Sequence, residues 1–125
     1  MIVLRTQDQQ TTVTPNGNTV TPLATPSRGA HEVSMVRQSQ TPGGFNPPHS
    51  QNREEIMVQL AGQVTVTSGN RSAILSPGDT LTMPADTVHQ VQNTGDTDAE
   101  WLIISAAGMH FVGENGVTFS PDWIK

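Results

Sequence analysis

The sequence predicts an all-β domain, and three observations carry that prediction. From Val33 onward, short segments rich in Val, Ile and Thr alternate with turn residues at the spacing of a sandwich or barrel. No stretch carries an apolar stripe at helical period. The chain has 125 residues, enough for one domain, and at this size folding hides roughly two thirds of the extended surface, so a single core needs no staples. We read residues 1–125 as one unit: an arm over 1–29, a core over 30–106 and a tail over 107–125.

The arm is rich in Thr, Gln, Pro and Gly. Thr12-Val13-Thr14 and Thr19-Val20-Thr21 flank Pro15-Asn16-Gly17-Asn18, so this stretch is either a hairpin, which Asn-Gly favours, or a loose arm, because its flanks bury little. The strands predicted next are Val33–Gln38, His49–Gln51, Glu55–Leu60, Gln63–Ser68, Arg71–Leu75, Thr80–Met83, Val88–Asn93 and Ala99–Ser105. Ala61-Gly62, Gly69-Asn70, Ser76-Pro77-Gly78-Asp79 and Thr94-Gly95-Asp96 separate them with the residue types that tight turns require. Period-2 alternation is clearest in Gln63-Val64-Thr65-Val66-Thr67, which fits one buried and one wet face. In the tail, Asn115-Gly116 marks a turn, and Phe119, Pro121 and Trp123 are apolar anchors expected to pack on the barrel or on a second subunit.

Composition excludes several classes of function. There is no cysteine, hence no disulfide scaffold, thiolate zinc site or cysteine nucleophile. Six Lys and Arg against eleven Asp and Glu leave a net charge of −5, which offers nothing to a phosphate backbone or an anionic membrane surface. Neither nucleic acid nor membrane is therefore an expected partner. The first residues are too weakly apolar for a signal sequence and no run approaches about 18 apolar residues, so a cytoplasmic location is expected. Nor is there a Ser-His-Asp arrangement or a phosphate-cradling glycine loop.

Four histidines carry most of the remaining information. His49 and Gln51 are two apart on a strand and share a face. If the next strand pairs back as a hairpin through Asn52-Arg53-Glu54, Glu55 arrives beside them. A bare carboxylate facing an imidazole and an amide is costly to bury, whereas a divalent cation satisfies all three. His89, distant in sequence, closes the site from another wall. Glu54 reads as a solvated neighbour, and His31 and His110 as surface or structural residues.

At this point the residues resemble the cupin superfamily. The stretch from Gly43-Gly44-Phe45-Asn46-Pro47-Pro48-His49-Ser50-Gln51 to Asn52-Arg53-Glu54-Glu55, with Gly62 after six intervening residues, is similar to the first cupin motif. Gly78, Pro84 after five intervening residues, Asp86, His89 and Asn93 are similar to the second. The resemblance covers about residues 30–106 and implies a double-stranded jelly-roll β-barrel of the small bacterial, single-domain type. It further implies one divalent transition metal per chain (Fe, Mn, Ni, Co or Zn) on His49, Gln51, Glu55 and His89. Gln51 departs from the family's second histidine; an amide ligates only through oxygen, a weaker and harder donor. Asp86 stands at a usual glycine, mildly, because Asp tolerates the left-handed conformation. Gln51 is then a ligand, a hydrogen-bonding group that orients water, or a relic in a metal-free pocket.

Two imidazoles and one carboxylate are the ligand set that leaves open positions on non-haem iron. The expected function is a metal-dependent enzyme of dioxygenase type acting on a small organic substrate, with Glu55 as a base if it leaves the metal and Gln51 as fourth ligand or anchor. The alternatives are a non-catalytic pocket for a sugar or metabolite and a metal-assisted isomerase. Met57, Gln59, Val91 and Trp101 are expected to line the substrate pocket, with Arg37 facing inward to hold an anion. Sheet edges, the arm and the Trp123 tail are the expected contacts of a homodimer.

Overall fold

A computed structural model describes residues 1–125. Twelve strands make nearly all of the regular structure: β1 Thr12–Thr14, β2 Asn18–Ala24, β3 Val33–Gln40, β4 His49–Gln51, β5 Glu55–Ala61, β6 Val64–Ser68, β7 Arg71–Leu75, β8 Thr80–Met83, β9 Gln90–Gln92, β10 Ala99–Ala106, β11 Phe111–Gly113 and β12 Thr118–Phe119. The helices are three single 3-10 turns, and none is long and apolar enough to cross a membrane. Six strands form one sheet in the order β1-β2-β3-β10-β5-β8. Facing it are two three-stranded sheets, β12-β11-β4 and β7-β6-β9, which meet where His49 and His89 bridge antiparallel to one another. The result is a double-sheet jelly roll, with the predicted strands from Glu55 to Leu75 at nearly their expected bounds.

Alternation decides which side chains face inward. On β3, Ser34, Val36, Gln38 and Gln40 are buried, while on β10 the buried residues are Ala99, Trp101, Ile103 and Ser105. Two apolar clusters fill the interior. The larger contains Met57, Val64, Val66, Leu75, Met83, Val91, Ala99, Trp101 and Ile103; the smaller contains Val20, Val36, Met109, Phe111 and Ile124. A space between them is left for the site.

The arm resolves to a hairpin. Asn16 and Gly17 both take positive φ, 66° and 80°, a conformation that Asn and Gly tolerate best, and β1 pairs with β2 around the Pro15-Asn16-Gly17 loop. The flanks bury more than their composition suggested, because β2 pairs with β3 and turns Val20 inward. Pro22 sits at the β2 irregularity, where its missing N–H is tolerated.

Two details differ from the sequence reading. The strand expected over Val88–Asn93 shortens to Gln90–Gln92, with His89 paired only to His49. β4 does not form a hairpin with β5: it pairs with β11, and β5 pairs with β8 and β10. The chain turns a corner between the two layers at residues 52–54, so Glu55 still arrives near Gln51 although the strands lie in different sheets. Asp86 takes φ 60°, the left-handed conformation expected there, and its N–H donates to Gln51 O at 2.7 Å. That bond ties the second histidine's loop to the strand carrying the first.

Candidate functional site

His49 and His89 occupy directly opposed positions on the seam between the two smaller sheets. Their backbones exchange both hydrogen bonds, His49 N–H to His89 O at 3.0 Å and His89 N–H to His49 O at 2.9 Å, and the ring centroids lie 4.6 Å apart. The second imidazole therefore comes from the same wall as the first, not from another one. Each ring is held in the same way: Nδ1–H of His49 donates to Pro47 O and Nδ1–H of His89 to Thr87 O, both at 2.9 Å. A carbonyl can only accept, so Nδ1 carries the proton in both rings and Nε2 is left for other work, the arrangement usual for metal-ligating histidines.

Glu55 and Gln51 complete the cluster. Gln51 Nε2 donates to Glu55 Oε2, and the same carboxylate oxygen lies 3.6 Å from His89 Nε2. Gln51 and Glu55 are both buried. Burial lowers the His49 pKa, and the neighbouring His89 adds to this against the opposing pull of the Pro47 carbonyl and Glu55. Burial also works against a charge on His89, but the Glu55 hydrogen bond and charge, with the Thr87 carbonyl, outweigh it and raise that pKa. The Glu55 carboxylate thus favours the charged form of His89.

As they stand, these side chains are not a coordination shell, and no three His, Asp or Glu side chains anywhere in the chain are arranged as one. Their chemistry nonetheless fits a divalent cation. Two Nε2 atoms with fixed tautomers, a carboxylate and Gln51 Oε1 share one pocket floor, and Gln51 Oε1 is a buried acceptor with no donor. Leaving such an acceptor unpaired costs about 1–3 kcal/mol; a cation would satisfy it.

Above this floor opens a cavity of about 710 Å³. His49, Gln51, Glu55 and His89 line it together with Val91 and Trp101. Three residues expected in the pocket do not line it. Arg37 points off the outer face of the large sheet, paired with Glu100 at 3.2 Å and donating to Gln9 Oε1 at 2.9 Å, because it alternates with the inward Val36 and Gln38. Met57 is consumed in the larger apolar cluster. Gln59 is a buried latch, its Nε2 donating to Ala61 O and Gly62 O, where Gly62 takes φ 65° close against the Asp98-Ala99 backbone. Glu54 and His31 are exposed, and His110 is latched through its backbone to Asn52.

The residues matched by the cupin domain family are 36–105, more than half of the chain and inclusive of all four residues of the cluster. The chain is a cupin. This cupin is 35% identical over 123 residues to oxalate oxidase 1 of Hordeum vulgare, covering 88% of the chain and 58% of that protein. It is 33% identical over 120 residues to germin-like protein 3-5 of Oryza sativa subsp. japonica, covering 86% of the chain and 50% of that protein. The chain thus spans about half the length of the curated relatives it matches. Among solved structures, an oxalate oxidase superposes with TM-score 0.72 at 28% identity, covering 86% of this chain and 61% of the other. A polyketide cyclase from Streptomyces resistomycificus superposes with TM-score 0.78 at 16% identity over 98% of this chain and 88% of the other, a likeness of fold alone.

The sequence reading missed much of the cavity wall. Phe111, Asn18, Gln38 and Asn46 line it, and the inward parity of Gln38 with Val36 was the one available signal. Phe119, Pro121 and Trp123, expected as tail anchors, also line it.

Proposed function

We propose that this cupin is a metal-dependent enzyme of dioxygenase type, holding one divalent transition metal (Fe, Mn, Ni, Co or Zn) on His49, Glu55 and His89, with Gln51 as fourth donor or as the anchor of substrate and water. The observation that carries the reading is the pair of imidazoles whose Nδ1 protons are fixed on carbonyls while a carboxylate and an orphaned amide oxygen share their pocket floor. Similarity to oxalate oxidases supports oxidoreductase chemistry. A metal bound there would polarise substrate oxygens and open dioxygen chemistry. Around it the chain's own residues have definable tasks. Pro47 and Thr87 carbonyls orient the rings, Gln51 holds the Glu55 carboxylate in place, and Trp101, Val91 and Ile103 keep competing water out. Glu55, whose Oε2 lies 3.6 Å from His89 Nε2, would be the group placed to take a proton from substrate if it leaves the metal.

Protein purified without chelators is expected to carry about one transition-metal atom per chain, as a single three-ligand site predicts, and to consume dioxygen in an electrode assay when screened against small organic substrates. Metal-free protein that still retains a small ligand would replace this reading with a non-catalytic binding module. Turnover of substrate without dioxygen uptake would replace it with a metal-assisted isomerase.

The proposed partner is a second copy of the chain. Both the arm and the tail are already paired within their own chain, so the contact proposed is the outer face of the large sheet. There the register sets Met35, Ile104 and Ile56 side by side across three strands, with Leu102 beside Val58 in the next row. Such an apolar row is what paired sheets cover. Light scattering should give the mass of two chains at micromolar concentration, and Ile104→Lys should give the mass of one; wild-type protein running as one chain would end the proposal.

A further inference from the structure

Aromatic residues are scarce in this chain, three Phe and two Trp with no Tyr, yet both tryptophans and two of the three phenylalanines line the one cavity. Phe111 stacks on Phe119 with centroids 5.4 Å apart and planes at 24°, and tilts against Trp123 at 5.5 Å. The same ring meets His49 edge-on at 5.6 Å, so the aromatic wall runs directly down to the imidazole cluster. The tail that supplies this wall is pinned at its far end, where Ile124 is buried beside Val20 and Ser27 N–H donates to Lys125 O at 2.7 Å.

Charge and polarity narrow the ligand further. No Lys or Arg lines the cavity, and its two acidic residues are Glu55 and Glu114. Outside the histidine cluster nothing there balances an anion, and the whole chain carries −5. The polar wall is built from amides. Gln38 Nε2 donates to Asn18 Oδ1 and to Asn46 Oδ1, both at 2.9 Å, while Asn18 Nδ2 is spent on Pro15 O and Phe45 O at 2.8 Å. With both Nε2 protons used, the remaining function of Gln38 is an acceptor, which suits a ligand hydroxyl. The cavity volume, about 710 Å³, falls within the range of roughly 300–1,000 Å³ typical for a multi-ring organic ligand.

We infer that the substrate class of this site is an uncharged, flat aromatic molecule bearing a hydroxyl group, stacked on the Phe111–Phe119–Trp123 wall with its polar edge toward Gln38, and not a small dicarboxylate. The inference rests on the enzyme reading only in calling that molecule a substrate; binding itself needs no metal.

The test is calorimetric titration of the full chain, purified without chelators, with 2-naphthol and, separately, with oxalate. Saturable binding of 2-naphthol in the micromolar range, with no binding of oxalate at the same concentrations, is the expected result. Phe119 is 46% exposed and outside both apolar clusters, so Phe119→Ala should fold and weaken 2-naphthol by about tenfold, the size of one lost aromatic contact, whereas Phe119→Tyr should retain it. Oxalate binding as tightly as 2-naphthol, no saturation by 2-naphthol, or equal affinity in Phe119→Ala would overturn the inference. So would naphthol affinity that falls as protein concentration is raised, since a second copy would then own the wall. Metal content read on the same samples separates the two proposals: naphthol binding by a protein that never holds metal removes the enzyme reading alone, and metal without naphthol binding removes this one alone.

Discussion

His89→Ala is expected to lose the metal altogether, with retained metal after desalting falling from about one atom per chain to less than a tenth of that. Changes merely around a metal ligand cost roughly 10–100-fold in affinity, and loss of one of two imidazoles costs more, because the remaining amide and carboxylate oxygens are harder donors that exchange readily. The variant should still fold. The backbone bridge between positions 49 and 89 is made by N–H and C=O groups that alanine preserves, and what disappears is the ring over Glu55. Removing the ring also takes the neighbouring imidazole from a buried carboxylate, so a modest drop in stability accompanies the metal loss. Elemental analysis together with an unchanged far-ultraviolet circular dichroism spectrum checks the prediction. A variant that holds the metal as tightly as the parent would show that His89 is not a ligand.

The second large effect is on stability. Trp101 is 1% exposed and belongs to the larger apolar cluster while also facing the cavity. Trp101→Ala should lower the unfolding free energy by about 3–5 kcal/mol, the range for deleting a buried large aromatic side chain. The central strand β10 pairs on both sides and cannot sink into the gap, so collapse recovers little. Urea titration followed by circular dichroism measures the change; a loss under about 1 kcal/mol would mean that the ring is poorly packed despite its burial.

Much of this architecture was legible residue by residue. The alternation in Val64–Ser68 and the turn types at Gly69 and Gly78 are local signals, and local signals specify where a strand runs and which residues share a face. The grouping of His49, Glu55 and His89 followed from motif spacing, and the left-handed Asp86 from its place in the second motif. What local signals do not carry is the choice of partner strand. β4 joins β11 across some sixty residues rather than its neighbour β5, and that choice is made by the burial of Phe111, far along the chain. Arg37 and Gln38 show the same limit at one step of sequence: parity puts them on opposite faces, but only the position of the apolar clusters tells which face is inside. Met57 and Gln59 were correctly turned inward, but placement along the strand, which parity does not encode, sets one in the core and the other at the far end from the cavity.

The scarcity of aromatic side chains has one further practical meaning. With two indoles and no phenol, and with both indoles bordering a single hollow, the intrinsic ultraviolet emission of this protein is a local gauge. Entry of a molecule into the hollow, or loss of the C-terminal wall, will change its colour and brightness.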